Sequence, residues 1–173
     1  MPAPGYLFDV NVWLALALRH HAFHNPAAAA FRAASPERKV NFCWASRLGV
    51  LRLLTTESVF KPAGLRPMTN AKALAVLDGW TALPAVGTVG DSPSVWTRWR
   101  TFADLPTASP KRWMDAYLAA TALENGLQLV TTDRAFESYA GLDPVVLIEP
   151  VAPAAPARAP EPPPADTGPR TGE

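Results

Sequence analysis

Four short apolar runs, YLFDV (6–10), KVNFCW (39–44), LQLVTTD (127–133) and PVVLIEP (144–150), are separated by helix-length segments. This alternation constrains the fold more than any other feature. Strands of about five apolar residues between helices imply a parallel sheet covered on both faces, since each strand must be buried front and back. The nearly continuous apolar character of LQLV and VVLI carries the same implication. AVGTVG (85–90) is a weaker strand candidate. The expected class is α/β.

The intervening segments carry helix punctuation. One helix follows the first strand to about residue 20. Asn25-Pro26 supplies an N-cap and a first-turn proline for a helix to about residue 34. Further helices are expected over 46–55 and 69–80. Asp91-Ser92-Pro93 starts one that runs through 102. The segment 111–124 is closed by Asn125-Gly126 in the manner of a left-handed C-cap. RAFESY (134–139) reads as a short helix. Residues 1–149 form the expected domain. Residues 150–173 hold eight of the 19 prolines and almost nothing that packs, so an extended, solvated tail is expected there.

Composition narrows the function classes. With 173 residues, 49% of them hydrophobic and six Trp, the chain has the makings of a packed core. A net charge of +1 provides no global basic field for nucleic acid, although a local patch remains open. The one cysteine, Cys43, excludes an internal disulfide framework and reads as inert packing in a buried strand. No run approaches the roughly twenty apolar residues of a membrane span. The MPAPG start lacks the pattern of a signal peptide, so a cytoplasmic protein is expected. His20, His21 and His24 cluster, but at a helix end and loop without Cys or acid nearby, which argues against zinc.

The chemistry lies in three aspartates. In a parallel sheet, ligands bind beyond the carboxyl ends of the strands. Asp9 follows the first strand and Asp133 follows LQLVTT, so both belong on that rim. Asp115 opens the helix leading into LQLVTTD, which brings it to the same edge, where the helix dipole favours a negative charge. Each aspartate alone is also what a cap or turn uses. Together on one rim they would repel one another unless a cation intervenes. Oxygen donors select a hard ion, Mg²⁺ or Mn²⁺. The reaction suggested is metal-assisted hydrolysis of a phosphodiester. Asn11 and Thr131 are candidate hydrogen-bond donors behind the carboxylates.

FDVNVWLAL, WASRLGVLRLLT and KRWMDAYLAATALENGLQLVTTDRAF, in that order, resemble the PIN-domain ribonucleases, and most of all the VapC toxins of bacterial toxin–antitoxin pairs. The resemblance spans about residues 6–149. It implies a three-layer α/β/α fold with a parallel sheet of about five strands, and RNA cleavage with Mg²⁺ or Mn²⁺. Asp9 and Asp115 match the principal metal-binding aspartates of the family, Asp133 the late acidic residue, Thr131 the threonine before it, and Asn11 a polar residue of the opening motif. Water would attack the backbone phosphate in line and leave 5′-phosphate and 3′-hydroxyl ends.

One position departs from the family. Where many members carry a Glu on the helix after the second strand, this chain has Arg47, and Glu57 comes ten residues later. Arg47 would compete with a cation for the carboxylates or contact substrate phosphate. One formed metal site is therefore expected, with a second completed only by RNA oxygens. Arg47, Arg52, Lys111 and Arg112 are the RNA-binding candidates. The rings of VWTRWR (95–100) follow helical spacing with Phe102 and read as core. The resemblance also implies a VapB-type antitoxin partner and a homodimer, with Trp80, Trp96 and Leu54 as candidates for the partner surface. Two rival readings remain: a haloacid-dehalogenase-like phosphatase, disfavoured by Asn11 where a second aspartate would stand, and a non-catalytic PIN-like binding module.

Overall fold

A computed structural model describes residues 5–148. The expectation of a proline-rich tail at 150–173 lies outside the described residues. The chain runs β1 (Tyr6–Phe8), α1 (Val10–Ala17), α2 (His24–Arg32), β2 (Val40–Phe42), α3 (Trp44–Leu54), α4 (Glu57–Phe60) and α5 (Asn70–Thr81). It continues through β3 (Val86–Thr88), α6 (Pro93–Ala103), α7 (Arg112–Glu124), β4 (Gln128–Thr131) and β5 (Val145–Val146). Short 3-10 turns lie at Lys61–Ala63 and Arg134–Ser138.

All five strands pair in parallel in the order β3-β2-β1-β4-β5. Alternation along β1 sorts its side chains between two layers. Tyr6 and Phe8 join Val40, Phe42, Val86 and Val130 beneath α1, α3 and α5. Trp13 of α1 stacks on Phe42 there, with centroids 3.8 Å apart. Leu7 and Leu129 face the opposite way, against Ala116, Leu118, Ala119 and Ala122 of α7. The sheet is thus closed on both faces, as its apolar strands require.

Local signals explain most boundaries. Thr69 and Ser92 cap α5 and α6 through their hydroxyls. Gly126, at φ +59°, ends α7 in the left-handed region that glycine tolerates. Cys43 is more than packing: its Sγ accepts from the Ser46 N–H at 3.4 Å while Ser46 Oγ accepts from the Cys43 N–H at 3.0 Å. This is a capping box with a thiol in the usual hydroxyl role. One expectation fails. The cap position of α2 is Phe23, not Asn25, because the helix begins two residues earlier than Pro26, at His24. His24 instead hydrogen-bonds the Ala15 carbonyl through Nδ1 at 2.8 Å, which ties the α1–α2 corner.

Gly49 marks a close helix contact. A Cβ there would lie 2.6 Å from Cγ2 of Val10, so α3 crosses against the first turn of α1 only because position 49 lacks a side chain. That contact bears directly on the residue before Val10.

Candidate active site

The strand order reverses at β1, with β2 on one side and β4 on the other, and the rim beyond that switch point carries the site. Register sets its first contact. Phe8 pairs with Val130, so Asp9 and Thr131 emerge side by side. Thr131 Oγ1 donates to Asp9 Oδ2 at 2.9 Å and accepts from the Asp133 N–H at 3.0 Å. One hydroxyl therefore positions both ends of the acidic pair.

Asp9 occupies the N-cap position of α1 without making a side-chain cap. Its carboxylate turns to Thr131 instead, and only 6% of the residue is exposed. Burial pushes its pKa up to about 6; the hydrogen bonds from Thr131 and the Val10 amide oppose this, while Asp115 and Asp133 add to it. Asp115 sits in the first turn of α7, and burial raises its pKa against the pull of Lys111. Asp133 accepts from the Ala135 N–H at 2.8 Å and bonds Lys111, whose ammonium holds its pKa down. Lys111 also reaches Asp115 at 3.4 Å.

The three aspartates thus share one rim, linked through Thr131 and Lys111. Among the described residues, no three His, Cys, Asp or Glu groups close into a metal-ligating set. An ammonium lies between Asp115 and Asp133 instead. The donor set nevertheless fits a hard divalent ion. It consists of carboxylate oxygens, with burial making those of Asp9 and Asp115 costly to leave charged without a counterion, and it already attracts a cation.

The other sequence candidates fall as follows. Asn11 faces solvent in the first turn of α1, with no side-chain hydrogen bond among the described residues. Two helical positions rotate a side chain by roughly 200°, which carries it away from its neighbour's partner. Arg47 does not enter the acidic cluster. It donates to Thr88 and lies 5.9 Å from the Phe42 ring centroid, so Lys111 is the cation among the acids. Arg112 is spent on structure: Nε donates to the Phe102 carbonyl at 2.7 Å and the guanidinium stacks 4.1 Å from the Tyr139 ring. Arg52 is exposed in the groove between α3 and α5, two turns from the rim.

The tryptophan expectation is corrected. It fails for Trp96, which is 59% exposed, whereas Trp99 and Phe102 pack half-buried against the core and Val95 and Ala103 are the buried residues of α6. The helix is narrow on its buried side, so period alone overstated how many rings the core takes. Leu54, a candidate for the partner surface, is buried, and Trp80 packs 5.0 Å from Trp13.

Fold and site together define a parallel α/β domain with aspartates gathered at the switch point. The chain matches the PIN domain family over residues 6–142 and belongs to that family. It is 40% identical over 138 residues to Ribonuclease VapC41 of Mycobacterium tuberculosis, in strains CDC 1551 / Oshkosh and ATCC 25618 / H37Rv, covering 79% of this chain and 94% of that protein. Among solved structures it resembles VapC20 of M. tuberculosis, a Sarcin-Ricin loop cleaving toxin, with TM-score 0.58 and 18% identity, covering 83% of this chain and all of that one. It also resembles VapBC2 of Rickettsia felis, solved on a promoter DNA fragment, with TM-score 0.54 and 12% identity over 79% of this chain and 94% of that one. Both structural likenesses bear on the fold. Membership of the PIN family removes the haloacid-dehalogenase alternative. No helix among the described residues is long and apolar enough to cross a membrane.

Proposed function

We propose that this protein is a metal-dependent endoribonuclease, the toxin of a toxin–antitoxin pair, acting in the cytoplasm with Mg²⁺ or Mn²⁺. The observation that carries the reading is the buried Asp9 carboxylate turned from its cap position toward Thr131, on the rim shared with Asp115 and Asp133. PIN-domain ribonucleases use a divalent metal; oxygen-only donors favour the magnesium–manganese class over softer ions.

Asp9, Asp115 and Asp133 would hold the ion. When bound, it supplies positive charge against the developing charge of the phosphate and lowers the pKa of nearby water. Thr131 orients Asp9 and the Asp133 backbone. Lys111, with its side chain 61% exposed, is placed to exchange the carboxylates for a substrate phosphate. The cognate partner is an antitoxin, and the seat that Lys111 occupies shows that a basic side chain can fill the acidic cluster.

Single-turnover cleavage of RNA tests the proposal. Asp9→Asn and Asp115→Asn should each lower the rate by at least about a hundredfold, and chelation should abolish it in the parent. Cleavage within tenfold of the parent in both variants would leave a binding module as the better description.

A further inference from the structure

Independently of the nuclease reading, we infer that the cleft between α6 and α7 is a dock for this chain's own segment PAAPAR (153–158), held as a polyproline II helix with Arg158 against Asp91. The cleft has a volume of about 460 Å³ and an apolar wall of Trp96, Trp99, Trp113 and Met114. Trp96 and Trp113 are more than half exposed, so residues 5–148 by themselves leave these rings in water. They are nonetheless set in a fixed row. Trp99 lies between them, with centroids 4.7 Å from Trp96 and 5.8 Å from Trp113. Its Nε1 donates to the Trp113 carbonyl at 3.0 Å, which locks the middle ring across the two helices. Proline-rich segments dock on aromatic-lined grooves of this kind, because the polyproline helix is preformed and loses little entropy on binding.

The segment has the matching period and charge. Prolines stand at 150, 153 and 156, every third residue, and a polyproline II helix has three residues per turn. Their rings therefore share one edge, and the alanines between them are too small to hold that edge off the tryptophans. Residues 150–160 carry a single charge, Arg158. The cleft supplies the opposite sign. Asp91 is the one charged residue lining it, while Arg100 and Asp104 of the adjoining groove balance each other. Asp91 accepts from the Tyr117 hydroxyl and has no ion-pair partner among the described residues, which leaves carboxylate lone pairs for a guanidinium. The same charge disfavours other occupants. RNA would bring phosphates to an acid with no cation in the cleft, and a second copy seated about a two-fold axis would bring one acidic cleft against another.

Chain length permits the contact within one molecule. β5 is parallel to the other strands, so the chain leaves it at the sheet edge where Ala45 and Asp91 follow β2 and β3. Those two strands lie three and four positions from β5, roughly 14 and 19 Å across the sheet. At about 3.1 Å per residue, Pro156 and Arg158 can stand about 25 and 31 Å from the exposed Ile148. That reach exceeds the offset and leaves length to climb onto the α6–α7 face. A tether this short gives an effective concentration on the order of millimolar, so a weak contact suffices to fill the cleft.

Backbone order parameters of Ala154, Ala155, Ala157 and Arg158, measured by NMR in the full chain, test the dock. They should exceed about 0.6 in the parent. They should fall below that value in Arg158→Glu, in Pro153→Gly with Pro156→Gly, and in Trp96→Ala with Trp113→Ala. The first two variants lie outside residues 5–148, so they decide the question even where loss of the rings unfolds the protein. A labelled peptide of residues 150–160 should bind the proline variant about tenfold or more tighter than the parent, whose own segment competes for the cleft. Low order parameters in the parent, or order that survives loss of the rings in a folded protein, would overturn the dock. So would order that disappears on dilution, since a second copy would then be the occupant. An oligonucleotide that shifts the Trp96 and Trp113 indole signals equally in the parent and in Arg158→Glu would overturn it in favour of RNA.

Discussion

At position 9 a carboxylate stands at the start of α1 without capping it, and its burial has a measurable consequence. Because its pKa is raised from 3.8 to about 6, Asp9 holds its proton more tightly folded than unfolded. Its share of stability is therefore full below the unfolded value and lost as pH rises through about 6. Asp9→Asn keeps an acceptor for Thr131 and removes the charge. It should stabilise the metal-free protein at pH 8 by up to about 3 kcal/mol, and the advantage should shrink by about half at pH 5. Urea unfolding at the two pH values checks this, and a pH-independent gap would contradict it. Lys111→Gln probes the same cluster from the other side. Removing the ammonium leaves Asp115 and Asp133 without their cation, so Mn²⁺ should bind the free protein several-fold more tightly, as calorimetry would read. Weaker binding would mean that Lys111 positions the carboxylates and does not compete with the ion.

Between elements, the α1–α3 crossing is the contact on which the site geometry depends. With a Cβ at position 49 only 2.6 Å from Val10, Gly49→Ala must push the helices apart. Overpacking of this kind costs about 1–3 kcal/mol. Val10 directly follows Asp9, so the displacement should reach the carboxylate and reduce cleavage as well as stability. Val10→Ala should restore much of both in the double variant, since it removes the methyls that the new Cβ meets. Additive losses in denaturation would place the strain elsewhere.

For the molecule as a whole, the acidic rim makes the fold a reporter of metal. An ion that binds only the folded state stabilises it by about 2.7 kcal/mol at a hundred times its dissociation constant. Mn²⁺ or Mg²⁺ should therefore raise the melting temperature of the parent, chelation should reverse the rise, and Asp9→Asn should blunt it. An equal rise in both proteins would point to binding away from the rim.

Much of this architecture was open to sequence reasoning because it follows from period and capping. Apolar strands between punctuated helices dictate a sheet buried on both sides, and the rim positions of residues 9, 115 and 133 follow from the parallel connections. Residue type alone also supplied the hard-ion chemistry, since carboxylates at a strand end need a cation. What remained was decided by three-dimensional neighbours. Strand register paired Asp9 with Thr131. The packing of α7 on the sheet put Lys111 among the acids and left Arg47 to Thr88. The limited area that α6 can bury left Trp96 in solvent. Local sequence sets which conformations a segment prefers, but the partner a side chain meets depends on segments distant along the chain, and only the folded packing brings those together.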